Sequence, residues 1–503
     1  MEKGALARRR GDAALYSAKD LHFTGAFHVR WLSFFLALAL VSFTVASGFA
    51  AETVAFDPAK DDFPEDLRTR RTGQDWPAFL GPHGDSKSSE RGILAPWPAE
   101  GPPIVWQHRV DTGYGMPNIS RGRLFQFERI RDQAVLICLQ SETGEELWRF
   151  AYSTDYQDLY GYDNGPRCSP VVDGGRVYLL GAEGMLHCVR AIDGALVWKI
   201  NTQTQFGVVQ NFFGVGSTPV IFEDLLLVQI GGSALADQAA APGRLDQVDG
   251  AGSGVVAFDK YTGAVRYKLA DELASYAGPT LANINGRDWC LVFARGGLFG
   301  FDPRAGKLDF QFPWRAKILE SVNASNPVVV GDQVLISETY GPGAALLKVR
   351  PGGYDVVWSD EDRTIRNKRL QTHWNTPIHV DGYVYASSGR HSENAELRCL
   401  EFATGNVKWS EPGLTRSSLL YVDGHFICLA ERGMLSLLKP NPERYEEISR
   451  VMLLDQTSTD SPPGFPPPPL IRYPAWAAPI LSHGLLYVRG RDRLVCLELI
   501  PRK

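Results

Sequence analysis

Adjacent cysteines are absent from this 503-residue chain, and so are the spacings C-x-x-C and C-x-x-C-H. A vicinal disulfide, a zinc ribbon and a c-type haem each need one of these patterns, so none is supported. There is no H-E-x-x-H, no G-x-S-x-G, no P-loop and no dinucleotide fingerprint on a strand-to-helix turn, and nothing points to a hydrolase. His373 and His379 stand six apart on either side of an expected strand start, a poor spacing for a metal, so no metal ligands are assigned. Positive charge is not in excess either. With 52 Lys and Arg against 57 Asp and Glu the net charge is −5, and no global basic field draws the chain to nucleic acid or anionic lipid.

What is present is the composition of a folded protein with a large core: 44% hydrophobic, 11% aromatic and 22% charged residues, which excludes disorder and collagen. Turn formers are abundant, with 50 Gly and 32 Pro. Together with short apolar runs they favour one large all-β unit over the several domains that length alone would suggest.

The amino terminus reads as a targeting segment. After Arg8-Arg9-Arg10 and Arg30, residues 31–51 (WLSFFLALALVSFTVASGFAA) carry no charge, and the small residues Gly48, Ala50 and Ala51 suit cleavage after Ala50. The same run is long enough to span a bilayer if left uncut. Residues 1–50 are therefore expected to be a signal peptide or membrane anchor, which places the body in the periplasm or outside the cell. Residues 51–73, with Asp57, Asp61, Asp62, Glu65 and Asp66, read as a flexible acidic linker, and 74–503 as the folded body.

Seven cysteines in an exported chain first suggest disulfides. However, Cys138, Cys188, Cys399 and Cys496 occupy one and the same place in four similar segments, each alternating with apolar neighbours as an inward strand position would. Equivalent places in a repeat rarely meet, so buried free thiols are expected.

That repeat sets the fold. A polar-Pro-apolar segment recurs at Pro117, Pro170, Pro219, Pro279, Pro327, Pro377 and Pro479, and Ser417-Ser418-Leu419-Leu420 fits between the last two without proline. The spacings run from 41 to 61 residues, the length of a propeller blade. Within each unit a turn such as Asp173-Gly174-Gly175 or Asp423-Gly424 separates two apolar runs, a hairpin signature. A third run ends in a turn such as Thr143-Gly144, Asp193-Gly194, Thr262-Gly263 or Thr404-Gly405, and a fourth closes on Trp148, Trp198, Tyr267 or Trp409. The wide ring is expected to fill the wedge between blades, and Gly to supply the positive φ of the turn. Eight units result, the last one strand short after Leu494-Val495-Cys496-Leu497. The expected fold is an eight-bladed β-propeller of four-stranded antiparallel blades, with Ile104-Val105-Trp106 from the N-terminal side closing the last blade and removing an open sheet edge. Residues 231–254, 361–370 and the proline-rich 461–469 read as loops.

The D-x-x-T-G-x-x-x-W turn and strand resembles the repeat of pyrroloquinoline-quinone (PQQ)-type β-propellers, and Asp75-Trp76-Pro77-Ala78-Phe79-Leu80-Gly81-Pro82 resembles a motif at the start of exported, planctomycete-type members. The resemblance covers about residues 74–500. It implies the propeller fold and leaves activity open, because the repeat is shared by quinoprotein alcohol dehydrogenases and by the scaffold propeller of the outer-membrane assembly machine. In the dehydrogenases the quinone lies in the central channel between a tryptophan and a vicinal disulfide, with calcium held by Glu, Asn and Asp. This chain has no adjacent cysteines and no residue-by-residue match to the calcium set, so the cofactor is unknown, with PQQ and calcium as the alternative the family offers. The scaffold propeller is a lipoprotein, whereas here the first cysteine is Cys138.

A site is expected where the segments entering the innermost strands converge at the channel mouth. Those segments carry Arg167, Asn211, Tyr276, Asn326, His373, Trp374, Asn375, Arg416 and Trp476. An arginine pair there could hold an anionic ligand bidentately and a tryptophan could stack on a planar one; the alternative is a set of side chains that cap turns and plug the channel. The expected function is an exported binding or scaffold module of the cell envelope, its partner an envelope protein or a small anionic ligand, with membrane contact only through an uncleaved N-terminal segment. No catalytic residue is assigned. If the chain is an enzyme, it is a PQQ- and calcium-dependent dehydrogenase oxidising an alcohol or sugar.

Overall fold

The computed structural model describes residues 52–53, 63–459 and 464–502; the expected signal segment lies outside them, as do residues 460–463 of the proline-rich loop. Among the described residues no helix is long and apolar enough to cross a membrane. Each repeat unit forms one antiparallel sheet, and eight such sheets make an eight-bladed β-propeller. Blade 1 consists of Asn118–Ser120, Arg123–Ile130, Gln133–Gln140 and Glu146–Ser153, from the central channel outward. Blades 2 to 8 start at the innermost strands Val171–Asp173, Val220–Phe222, Thr280–Ile284, Val328–Val330, Ile378–Val380, Ser417–Val422 and Ile480–Ser482. The chain thus enters every blade beside the channel at what we call the upper face and first turns at the lower one.

Burial follows position in the blade. Second strands such as Arg176–Leu180 and Leu485–Arg489 are buried at every residue, because neighbouring blades cover both faces. The outer strand Glu146–Ser153 alternates exposed and half-buried residues, having one wet face.

Ring closure follows the sequence expectation. Ile104–Arg109 pairs antiparallel with Arg493–Glu498 and supplies the fourth strand of blade 8. Register makes the equivalence concrete. Trp106 lies opposite Cys496 as Trp148 lies opposite Cys138, Trp198 opposite Cys188 and Trp409 opposite Cys399, each pair beside the same slip in the ladder. All seven cysteines are buried free thiols, as their place in the repeat implies.

The recurring aromatic joins blades in a specific way. Its ring lies on the turn glycine of the next blade: a Cβ on Gly144 would come within 2.8 Å of the Trp106 ring, and one on Gly194 within 2.6 Å of Trp148. Both glycines hold φ above +70°, so glycine is needed there for conformation and for space. The indole also ties the seam by hydrogen bonding, Trp106 Nε1 donating to Ser141 O, Trp198 to Lys260 O and Trp358 to Phe402 O.

Before the closing strand the chain crosses the lower face. Residues 63–73, expected within a flexible linker, are held there, because arginines inside the acidic stretch find fixed partners. Arg68 binds Asp66 at 2.6 Å and Asp75 at 3.2 Å and meets His483 Nε2 at 2.7 Å, while Arg70 pairs with Glu498 and donates to Ile500 O. Glu90 accepts from the backbone N–H groups of His483 and Gly484. The two-residue strand Glu52–Thr53 extends blade 2 at its outer edge.

Between these anchors, residues 76–88 enter the channel. Trp76 bridges Ile119 of blade 1, Pro77 O accepts from Val172 N of blade 2, and Lys87–Ser88 pairs in parallel with Tyr421 and Val422 of blade 7. The segment reverses at its tip, where Ser86 N donates to Leu80 O at 2.8 Å and Leu80, Gly81, Gly84 and Ser86 all have positive φ. Gly81 is required, since a Cβ would sit 2.8 Å from the fully buried ring of Trp76.

Candidate functional site

The segments entering the inner strands at the upper face surround a cavity of about 810 Å³. Of the residues singled out in the sequence, Arg167, His373, Trp374, Asn375, Arg416 and Trp476 line it, as does Tyr276. Asn211 and Asn326 do not. Asn211 donates to Ala274 O and accepts from Phe212 N, and Asn326 accepts from Gly278 N, so both serve to hold loop backbone. Asn375 borders the cavity but spends its amide on Ser387 O and Ser417 O, joining blades 6 and 7.

The two interior arginines are already engaged. Arg416 forms a fork with Glu431, at 2.6 Å from Nη2, and its guanidinium stands over both Trp374 (4.5 Å to the ring centre) and Trp476 (5.4 Å). Glu431 also accepts from Ser392 Oγ and Trp476 Nε1. Burial raises the Glu431 pKa, but these donors outweigh it and hold the carboxyl below its ordinary range. Arg167 binds Asp158 at 2.6 Å and stands over the rings of Tyr114 and Tyr156. The Asp158 and Glu431 side chains are both 0% exposed. Each guanidinium is thus already paired with a buried carboxylate, whose desolvation only a fixed cation can offset, and of the two readings of these arginines the pairing favours the one in which they fill the mouth.

The rest of the lining mixes aliphatic and small residues with further rings that the repeat positions do not single out. Tyr114, Phe213, Tyr340 and Tyr473 face the cavity, and Trp374 and Trp476 pack at 4.9 Å. Tyr160, Tyr162 and Tyr473 are about half exposed or more at the rim. His373 Nε2 lies 3.3 Å from Tyr340 Oη; burial, together with the charges of Arg416 and Arg390, pushes its pKa down to about 3, so the ring is neutral. The unspent charges, Arg390, Glu320 and Glu393, stand exposed at the edge. The run YQDLYGYDN in the long connection between blades 1 and 2 was the signal for this rim.

Would the residues present fit a calcium-bound quinone? Among the described residues no group of three or more His, Cys, Asp or Glu side chains is placed to hold a metal ion. The buried carboxylates at the mouth, Asp158 and Glu431, would each meet a cation with an arginine already on its oxygens. No cysteine pair exists to stack on a quinone. The donor set does not fit the group.

Blade number, strand order and repeat define a quinoprotein-type propeller. The profile of the family described as outer membrane protein assembly factor BamB matches residues 103–236 and 131–411, together more than half of the chain. The chain belongs to that PQQ-repeat family. Among solved structures, BamB from Moraxella catarrhalis is similar at a TM-score of 0.50 with 13% identity, covering 80% of this chain and 98% of that one. Quinohemoprotein alcohol dehydrogenase from Comamonas testosteroni is similar at a TM-score of 0.56 with 11% identity, covering 87% and 82%. At such identities the likeness is one of fold. No curated protein matches the sequence.

Proposed function

We propose that this chain is an exported module of the cell envelope that acts by binding, and that its upper cavity takes an uncharged group with a flat apolar face, carried on a small molecule or a partner protein. The observation that carries this reading is a cavity whose interior charges are paired and whose wall is rich in rings: both interior arginines are cancelled by buried carboxylates, ten Phe, Tyr or Trp residues line it beside aliphatic and small ones, and Arg390, Glu320 and Glu393 stand at its edge. Such a surface favours stacking and dispersion over charge recognition, which the exposed rim rings extend outward. Membership of a family described by an envelope assembly factor supports the partner-protein form.

The test is thermal stabilisation of the full chain by indole and phenyl β-glucoside as uncharged probes, against citrate and PQQ with calcium. A bound probe at a hundred times its Kd stabilises by about 2.7 kcal/mol. The uncharged probes should raise the melting temperature and lose that effect in Tyr473→Ala, an exposed rim position whose loss leaves the core intact. Stabilisation by PQQ with calcium alone, with dye-linked alcohol oxidation, would replace this reading with the dehydrogenase one.

A further inference from the structure

We propose that the turn Phe79–Ser86, which belongs to no blade, is part of the binding surface and sets how deep a ligand reaches. Phe79, Leu80 and Ser86 border the upper cavity although the segment carrying them arrives from the lower face. The segment lies against the inner strands of blades 7, 8, 1 and 2, through Lys87–Ser88 on blade 7, Gln74 O accepting from Ser482 Oγ of blade 8, Trp76 on blade 1 and Pro77 on blade 2. Those inner strands are almost wholly buried. The inner strands of blades 3 and 5 are only half-buried at every residue. By these contacts the floor is one-sided, although burial alone does not mark it, since the inner strand Ile378–Val380 of blade 6 is also buried at two of its three residues. A ligand entering beside Trp476 and Arg416 meets Phe79 and Leu80 beneath it, whereas the opposite half of the channel is covered by nothing from this segment. The tip is also rigidly specified, by the Leu80–Ser86 hydrogen bond and the contact of Gly81 with the Trp76 ring, as a surface that fixes depth has to be.

The inference rests on the binding role of the mouth, so its test reads geometry without a ligand. In the full chain the native cysteines are buried and silent, and single cysteines replace Phe79 or the rim residue Tyr473. Each variant is treated with a small methanethiosulfonate and with a 5-kDa polyethylene-glycol maleimide. Tyr473→Cys should react with both. Phe79→Cys should react with the small reagent and at least tenfold more slowly than Tyr473→Cys with the large one. Equal reaction of Phe79→Cys with the polymer would mean that the turn is open from below, and no reaction with either would mean that it is buried; both overturn the proposal. Should Phe79→Cys fail to fold, hydroxyl-radical footprinting of the native chain takes its place: oxidation at Phe79 supports the proposal, and a Phe79 as protected as Trp76 overturns it. Failure of every probe to stabilise the protein would leave this result unchanged, so the two readings fall separately.

Discussion

The Arg416–Glu431 fork is asymmetric in what it tolerates. With Glu431 unexposed and the Arg416 side chain 13% exposed, removing the carboxylate leaves a guanidinium packed over two indoles without a counter-charge. Loss of one member of such a buried pair costs about 3–5 kcal/mol. Glu431→Gln, which preserves shape, should therefore lower the free energy of unfolding by that amount in denaturant titration. Acid should act on other residues first. Burial pushes His187 and His373 each to about 3 from an ordinary 6.5. A histidine kept neutral by the fold contributes stability that is present above its unfolded pKa and is lost as pH falls towards the folded one. Each ring should accordingly take away up to about 1.4 kcal/mol per pH unit from pH 6.5 downward, while Glu128 and Glu338, pushed up by burial to about 7 and about 8, add stability over the same range, so the histidine contribution is read by difference. His373→Asn should change the slope of stability against pH by up to about 1.4 kcal/mol per unit towards greater stability in acid; an unchanged slope between pH 6.5 and 4.5 would show that His373 is not held neutral.

Among elements, the strand Ile104–Arg109 joins the chain ends, and Trp106 carries the joint by filling the seam to blade 1, resting on Gly144 and donating to Ser141 O. Trp106→Ala should cost about 3–5 kcal/mol, the range for emptying a buried tryptophan site. Removing residues 100–110 should lower the melting temperature steeply, and an unchanged melt would refute closure. This element could be read in the sequence because the repeat is local: one missing strand and one spare Ile-Val-Trp are visible in a single pass. The site was less legible. Position in the repeat gave the ring of mouth residues, but not which of them are consumed. Asn211, Asn326 and Asn375 are spent on backbone groups, and Arg167 and Arg416 on Asp158 and Glu431, partners nine and 15 residues away that no motif marks. The flexible reading of 63–73 does not hold for a related reason: acidity implies a solvated chain, but Arg68 and Arg70 dock the stretch on Asp75 and Glu498, partners that its own sequence does not mark.

At the scale of the molecule, the ring and the segment threaded beneath it are separable devices. Closure depends on Ile104–Arg109, and the floor on residues 63–93, which contact four consecutive blades by backbone pairing and by the cluster of Arg68, Asp75, Glu90 and His483. Removing residues 1–93 while keeping the closing strand should leave all eight blades assembled, since no ladder within a blade loses a strand other than Lys87–Ser88 and Glu52–Thr53 at the edges. Hydrogen exchange should then rise in a set pattern. Inner strands Asn118–Ser120, Val171–Asp173, Ser417–Val422 and Ile480–Ser482 lose their cover, whereas Val220–Phe222 and Val328–Val330 have none to lose and should keep their rates. A uniform rise around the ring would mean that the segment stabilises the whole propeller, and its role as a one-sided floor would have to be given up.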